Sequence, residues 1–353
     1  TMTDMKEFLK EMISASGVSG HESSVREIIT KKWAPLVDTL QVSRLGSLEG
    51  LKCGSGEGKR RSILLAGHMD AIGLMATGVE AGFIRMTSIG GVDPRVLPGQ
   101  QVVVKGREVL KGVIIQPPDR MIADHKSGAP VGIEDLYVDV GLEAEEVEKL
   151  VRPGDVISFG QEPVELAGET LAGHTLDDRT AVAAITACLE ILQKRVHSWD
   201  VWAVATVQEE VSMGGAHTST YGLEPDIGVA IDVTHAKGPG TSEKMIADLG
   251  KGLVIGPGPN VHPAVYGKIK AIAEEMEIPY QLEVMPMHSG TDAYAIQVVR
   301  EGVPSMVVSL PLRYMHTPVE VVSLKDIQRV GRLLAEFITA LDEEYIAEMK
   351  WEE

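Results

Sequence analysis

The stretch Val201–Ala216 reads VWAVATVQEEVSMGGA: an uncharged run from Val201 to Val207, adjacent acids at Glu209 and Glu210, then a Gly-Gly turn at Gly214 and Gly215. A short β-branched, alanine-rich run without charge is the pattern of a strand buried on both faces of a parallel sheet. In open α/β sheets ligands sit beyond the carboxyl ends of the strands, so two acids there are candidates for chemistry. Neighbouring side chains at a strand end diverge. One can hold a cation while the other faces a substrate. The plain alternative is an acidic strand-to-helix loop, which is common in α/β proteins.

The α/β rhythm extends on both sides of this stretch. Upstream, Ser62–Ala66 reads as a buried strand running into Gly67-His68-Met69-Asp70. Before it come helical apolar spacing at Met5, Phe8, Leu9, Met12 and Ile13, a second helix over 22–33 and a hairpin over 37–51 around Gly46. Downstream, Thr175-Leu176-Asp177-Asp178-Arg179 opens a helix over 178–195. A helix over 214–221, a strand over 227–231 ending at Asp232 and a Gly/Pro-rich loop over 254–263 follow. Helix 261–277, strand 280–285, helix 291–299 and strand 304–309 continue the alternation; His316 comes after the last strand, and an amphipathic helix covers 323–346. Between 72 and 165 the character changes to short β-rich runs separated by Gly and Pro, with one helical stretch at 144–151. That is the pattern of a small β-barrel or sandwich. The expected architecture is an α/β domain formed by 1–71 and 166–353, interrupted by a β domain over 72–165.

Composition narrows the function. A net charge of −18 argues against nucleic acid or an anionic membrane surface as partner, because both require a basic face. Hydrophobic residues at 44% and charged residues at 24% are ordinary for a soluble globular chain. With only Cys53 and Cys188 there is no disulfide framework, and the cytoplasm is the expected compartment. No apolar stretch reaches membrane-spanning length, and no signal-peptide pattern is present.

The polar residues at the strand ends form a set: His68 and Asp70, Glu209 and Glu210, Asp232 and His316, with Asp177 opening a helix. There is no GxSxG elbow, and neither cysteine has a histidine near it in sequence. Imidazole and carboxylate ligands suit borderline divalent metals. Two histidines and three carboxylates suit a pair of ions roughly 3.5–4 Å apart, one carboxylate bridging them. Asp70, two residues from His68, could accept a hydrogen bond from the second ring nitrogen. Each residue also has a bland reading: a surface histidine, a helix cap at Asp177, a turn residue at Asp70 or Asp232. Taken together, the bland readings require five coincidences at one sheet edge.

The motifs AGHMDAIGLM (66–75), LDDRTAVAA (176–184), VQEEVSMGGA (207–216), AIDVT (230–234), SGTDAYAI (289–296) and PLRYMHTPVE (311–320) resemble those of the tetrahedral (TET) aminopeptidases, the family of glutamyl aminopeptidases and cellulase M-like proteins. YVDVG (137–141) and RPGDVISF (152–159) extend the resemblance into the β insert. The resemblance implies a mixed-sheet, three-layer α/β metallopeptidase domain with an inserted small β-barrel. It implies two divalent metal ions, zinc or cobalt. His68 and Asp232 would bind one, Glu210 and His316 the other, and Asp177, rather than Asp178, would bridge them. Glu209 would be the general base and Asp70 would orient His68. Peptides would be the substrates, cut at the amino terminus. The β insert would mediate dimerisation within a tetrahedral homododecamer. The chain departs from the family pattern at Ala71, usually Glu; at His174, usually Lys; at Ser212 and Gly214; and at His288 and Ser289. Two rival readings are a glycan hydrolase and an inactive assembly paralogue. Aromatics at 4% disfavour a sugar-stacking groove, and the complete set of ligands and base disfavours the inactive paralogue.

Overall fold

The structure is a computed structural model that describes residues 2–56, 58, 60–122, 130–239, 241 and 247–351. The uncharged run forms strand Asp200–Thr206, buried at Val201 and from Ala203 to Thr206. It pairs in parallel with Ser62–His68 on one side and antiparallel with Leu48–Lys52 on the other. Parallel order continues from Ser62–His68 to Ile227–His235 and on to Ser305–Arg313. Antiparallel strands extend the flanks: Thr39–Val42 beyond Leu48–Lys52, and Glu320–Ser323, Thr170–Gly173 and Val164–Leu166 beyond Ser305–Arg313. With Leu253–Ile255 and Tyr280–Leu282 the result is one mixed sheet of 11 strands.

Side-chain alternation divides the central strands between two cores. Ile63, Leu65, Ala203, Ala205, Val229, Ile231, Met306 and Val308 pack with residues of helices Met2–Ser14, Leu176–Leu192, Pro263–Glu275 and Leu324–Thr339. Leu64, Ala66, Val204, Ala230 and Val307 pack with Gly214–Leu223 and Asp292–Gln297. Helices therefore cover both faces, giving three layers. Gly67 permits a close approach: a Cβ there would lie 2.6 Å from Ala181 Cβ. The helix carrying Asp177 and Asp178 is thereby pressed onto the strand that ends in His68.

The β-rich segment closes into a six-stranded antiparallel barrel. Gly73–Glu80, Phe83–Ile89, Tyr137–Asp139, Val109–Ile115, Gln101–Lys105 and Val156–Phe159 follow one another around it. Its core, including Leu74, Ile84, Val104, Ile114, Val138 and Ile157, is separate from the two cores of the large sheet.

Several elements differ from the sequence reading in extent. The strand expected over 227–231 runs to His235, because its pairing with Ser305–Arg313 persists to His235 opposite Leu312. Asp232 is thus inside a strand rather than beyond its end. Strand Leu253–Ile255 occupies the start of the segment expected to be a loop. The last helix stops at Thr339, and Asp342 Oδ1 accepts the N–H groups of Glu344 and Tyr345 to start a separate turn, Tyr345–Glu348. Among the described residues no helix is long and apolar enough to cross a membrane.

Candidate metal centre

Four parallel strands and one helix deliver the polar set to one place. His68 is the last residue of Ser62–His68, and Glu209 and Glu210 open the short helix Glu209–Ser212 just after Asp200–Thr206. Asp232 lies in Ile227–His235, and His316 follows Ser305–Arg313. Asp177 and Asp178 stand in the first turn of Leu176–Leu192, where their backbone angles are not helical and a cis peptide joins them. Thr175, Gln208 and His316 all take left-handed φ, at 64°, 58° and 61°. Such conformations in non-glycine residues cost of order 1–3 kcal/mol each and persist only where the surroundings enforce them.

The side chains converge. His68 Nε2 is 3.1 Å from Asp177 Oδ1, and His316 Nε2 is 3.4 Å from Asp177 Oδ2 and 3.3 Å from Glu210 Oε2. Asp177 thus stands between the two imidazoles, one oxygen towards each. Among the described residues, two groups have donor atoms close enough to share an ion: His68, Asp177 and Glu210, and His68, Asp178 and Asp232. Glu209 Oε2 lies 3.9 Å from His68 Nε2. His68, Asp177, Glu209, Glu210, Asp232 and His316 therefore lie together here. Asp178, set aside in favour of its neighbour, is there as well. Asp70 meets His68 differently from the expectation: His68 Nδ1 is 3.1 Å from the Asp70 backbone carbonyl oxygen, whereas the carboxylate oxygen Oδ1 is 3.7 Å away.

Supporting residues escaped the sequence reading. Glu320 is buried and accepts the N–H groups of both Asp177 and His316, each at 3.0 Å, so one carboxylate fixes two of the converging residues. A lone acid in the apolar run Val319–Val322 was the available signal. Arg179 is fully buried and donates to the carbonyls of Met12, Ala15 and Met69, tying the first helix to the segment between His68 and Asp70. The barrel also reaches the centre. A Cβ on Gly91 would lie 2.8 Å from His316 Nδ1, and one on Gly90 would lie 3.5 Å from Glu210 Cβ. His174 and His288 pack on aromatic rings, Phe159 and Tyr294, and belong to neither ligand group.

The electrostatics call for cations. Burial pushes the Glu209 carboxyl up to about 10, His68 opposing and Asp232, Asp292 and Glu210 reinforcing the rise. Burial likewise raises Asp178 and Asp232 well above the usual carboxylate range, with the neighbouring acids adding to it. Burial also opposes charge on Asp177, but hydrogen bonds from His316 and His68 hold its carboxyl low. Hydrogen bonds to Asp177 and Glu210 lift His316 to about 11. Among the described residues no Lys or Arg forms an ion pair with Asp177, Asp178, Glu209, Glu210 or Asp232. Asp178 Oδ2 and Asp292 Oδ1 are buried without a hydrogen-bond partner. Buried carboxylates of one sign are tolerated when they are paired or coordinate a metal. Two imidazoles, several carboxylates and an orphaned carboxylate oxygen fit a divalent ion of borderline softness.

With the fold and this centre in view, similarity to known proteins is decisive. The M42 glutamyl aminopeptidase family model matches residues 46–333. The chain belongs to the M42 glutamyl aminopeptidase family. This M42 member is therefore a hydrolase acting on peptide bonds. It is 33% identical over 335 residues to the lysyl aminopeptidase of Pyrococcus furiosus, covering 93% of this chain and 94% of that one. Its fold superposes on the aminopeptidase APDkam598 of the archaeon Desulfurococcus kamchatkensis with a TM-score of 0.91, at 37% identity, covering 99% of this chain and 98% of the other. It is also similar to the Pyrococcus horikoshii TET1 peptidase, described as assembling into a tetrahedron or a large octahedral shell. There the TM-score is 0.83 and the identity 32%, over 96% of this chain and 100% of that one. The mixed α/β architecture with its closed barrel is that of the TET aminopeptidases.

Proposed function

We propose that this M42 peptidase is a two-metal aminopeptidase that removes amino-terminal residues from peptides, with Glu209 as general base. The observation that carries the reading is Asp177, whose two oxygens face His68 at 3.1 Å and His316 at 3.4 Å. In this assignment His68 and Asp232 would hold one ion, Glu210 and His316 the other, and Asp177 would be shared between them. Zinc or cobalt is the proposed metal, because imidazole with carboxylate suits either. Two such ions, when bound, supply Lewis acidity that lowers the pKa of water and polarises the scissile carbonyl. Glu209, 3.9 Å from His68, takes the proton of the attacking water and delivers it to the leaving amine. Asp70 holds His68 through its carbonyl oxygen, and Glu320 holds Asp177 and His316 by their N–H groups. The surrounding acids attract the substrate's terminal ammonium.

We assign residues 1–71 and 166–353 to the catalytic domain and 72–165 to an inserted dimerisation domain. Self-association through the barrel into a tetrahedral dodecamer is proposed from the likeness to TET1. A cytoplasmic location is supported by Cys53 and Cys188, both free thiols.

The test is Glu209→Gln in metal-loaded protein. The variant is expected to retain both ions by elemental analysis and to lose roughly 10²- to 10⁴-fold in kcat on an aminoacyl p-nitroanilide. Turnover near the wild-type rate contradicts the role of Glu209. Hydrolysis of carboxymethylcellulose by the chelated protein would instead favour a glycan hydrolase.

A further inference from the structure

Three consecutive backbone donors, the N–H groups of Gln208, Glu209 and Glu210, begin the short helix that carries the proposed base. Two of them, those of Glu209 and Glu210, end on one buried carboxylate. Asp70 Oδ1 accepts from Glu209 N at 3.0 Å and Asp70 Oδ2 from Glu210 N at 3.4 Å. Glu22 is a second buried acid beside this turn, its carboxyl raised by burial with the Gly20 and Gln208 N–H groups opposing the rise. The two acids come from different parts of the chain, yet they are joined through the segment Val18–Glu22. Ser19 Oγ donates to Asp70 Oδ2 at 2.5 Å, and Glu22 Oε1 accepts the Gly20 N–H at 2.6 Å. Ser19 N donates to Ala71 O at 3.1 Å, and Val18 bridges to Ala71, so this segment lies alongside the residue following Asp70. Ser19 and Glu22 are 7% and 4% exposed, and Asp70 is fully buried. The Gln208 side chain makes no capping bond of its own.

Helix-start N–H groups need partners, and bonds to a carboxylate are stronger and shorter than neutral ones. Here they do more than cap a turn. Anchoring the backbone on both sides of Glu209 leaves its side-chain torsions as the only freedom between the base and the reacting water. A base must sit within hydrogen-bond reach of the proton it takes, and a misplacement of about 1 Å costs on the order of 10²-fold in rate. We infer that Ser19 and Glu22 are positioning residues for the catalytic turn, Ser19 acting through Asp70 on Glu209 and Glu210, and Glu22 acting through the Gly20 N–H on the segment that carries Ser19. This rests on the assignment of Glu209 as base.

The two residues should act differently. Ser19 reaches both the base and the ligand Glu210 through Asp70, whereas Glu22 reaches them only through the segment that carries Ser19. The experiment compares wild type, Ser19→Ala, Ser19→Cys, Ser19→Thr, Glu22→Gln and Glu209→Gln as full-length protein. It measures kcat and KM on an aminoacyl p-nitroanilide, and zinc binding to the apoproteins by calorimetry. Ser19→Ala and Glu22→Gln are expected to lower kcat roughly 10- to 100-fold with KM within about twofold of wild type. Zinc affinity falls in Ser19→Ala and falls less in Glu22→Gln. Ser19→Thr, which keeps the hydroxyl, recovers most of kcat; Ser19→Cys, a weaker donor of similar size, gives an intermediate value and serves if Ser19→Ala does not fold. Wild-type kcat in folded Ser19→Ala or Ser19→Cys together with Glu22→Gln overturns the inference, as does a loss confined to KM. An inactive Glu209→Gln beside fully active Ser19 and Glu22 variants sinks this inference alone. An active Glu209→Gln sinks the reading on which it rests.

Discussion

At the residue scale, His174 shows how burial sets a protonation state where the large sheet meets the barrel. It is 6% exposed, it packs edge-on against Phe159, and burial with the nearby Arg179 charge lowers its pKa to about 3. The unfolded chain protonates this imidazole near pH 6.5. Between pH 6.5 and about 3 the unfolded state therefore binds a proton that the folded state does not. The stabilising contribution is full above 6.5 and is lost as pH falls through that window. His174→Gln removes the titration, so its urea midpoint should fall less steeply than the wild type's over the same pH range. Parallel slopes would show that His174 does not titrate in this way. At this scale the sequence was most legible where a residue type has one main chemistry. His68, His316, Glu209 and Glu210 stood out because they follow apolar runs. Glu320 and Arg179 did not, because their partners are backbone groups distant in the chain: Asp177 N for the acid, Met12 and Ala15 carbonyls for the guanidinium.

At the element scale, the loop following barrel strand Phe83–Ile89 is the contact to perturb. Gly91 lies against the Nδ1–Cε1 edge of His316, whose Nε2 meets Asp177 and Glu210, with room for no side chain. Gly91→Ala should push His316 off its partners. Zinc affinity of the apoprotein is expected to fall roughly tenfold or more, with little change in the unfolding midpoint because the loop is outside both large-sheet cores. Unchanged calorimetric binding would mean that the loop yields instead of the imidazole. The central strands were readable because they are uncharged and lie between two helix layers, as Ser62–His68 and Asp200–Thr206 do. The short flanking strands Val164–Leu166, Thr170–Gly173 and Glu320–Ser323 were not, since three or four residues carry too little alternation to register. Asp232 looked like a strand terminus because the acid interrupts the apolar run, whereas hydrogen bonding to Ser305–Arg313 carries the strand past it.

At the scale of the whole molecule, a buried cluster of like charges makes folding depend on its counter-ions. Ions that bind only the folded state stabilise it by about 2.7 kcal/mol each when the free ion is at a hundred times its Kd. Chelation is therefore expected to lower the Tm, and zinc or cobalt to restore it; magnesium should restore little, because it prefers oxygen ligands to imidazole. A Tm indifferent to chelator would mean that the acids are compensated by protons rather than metal. The barrel has a core of its own, separate from the large sheet, and this is why the β-rich middle of the sequence could be recognised as a distinct module. Sedimentation of the 38.0 kDa chain tests whether that module assembles it: a particle of twelve chains is expected, and a monomer would remove the barrel from the proposed assembly.

The most direct measurement titrates zinc or cobalt into apoprotein while following two substrates, an aminoacyl p-nitroanilide and a peptide blocked at its amino terminus. Activity on the free-amine substrate is expected to rise until two ions are bound per chain, while the blocked peptide stays intact throughout. Cleavage within the blocked peptide, or full activity before any metal is added, would contradict a two-metal aminopeptidase centred on Asp177.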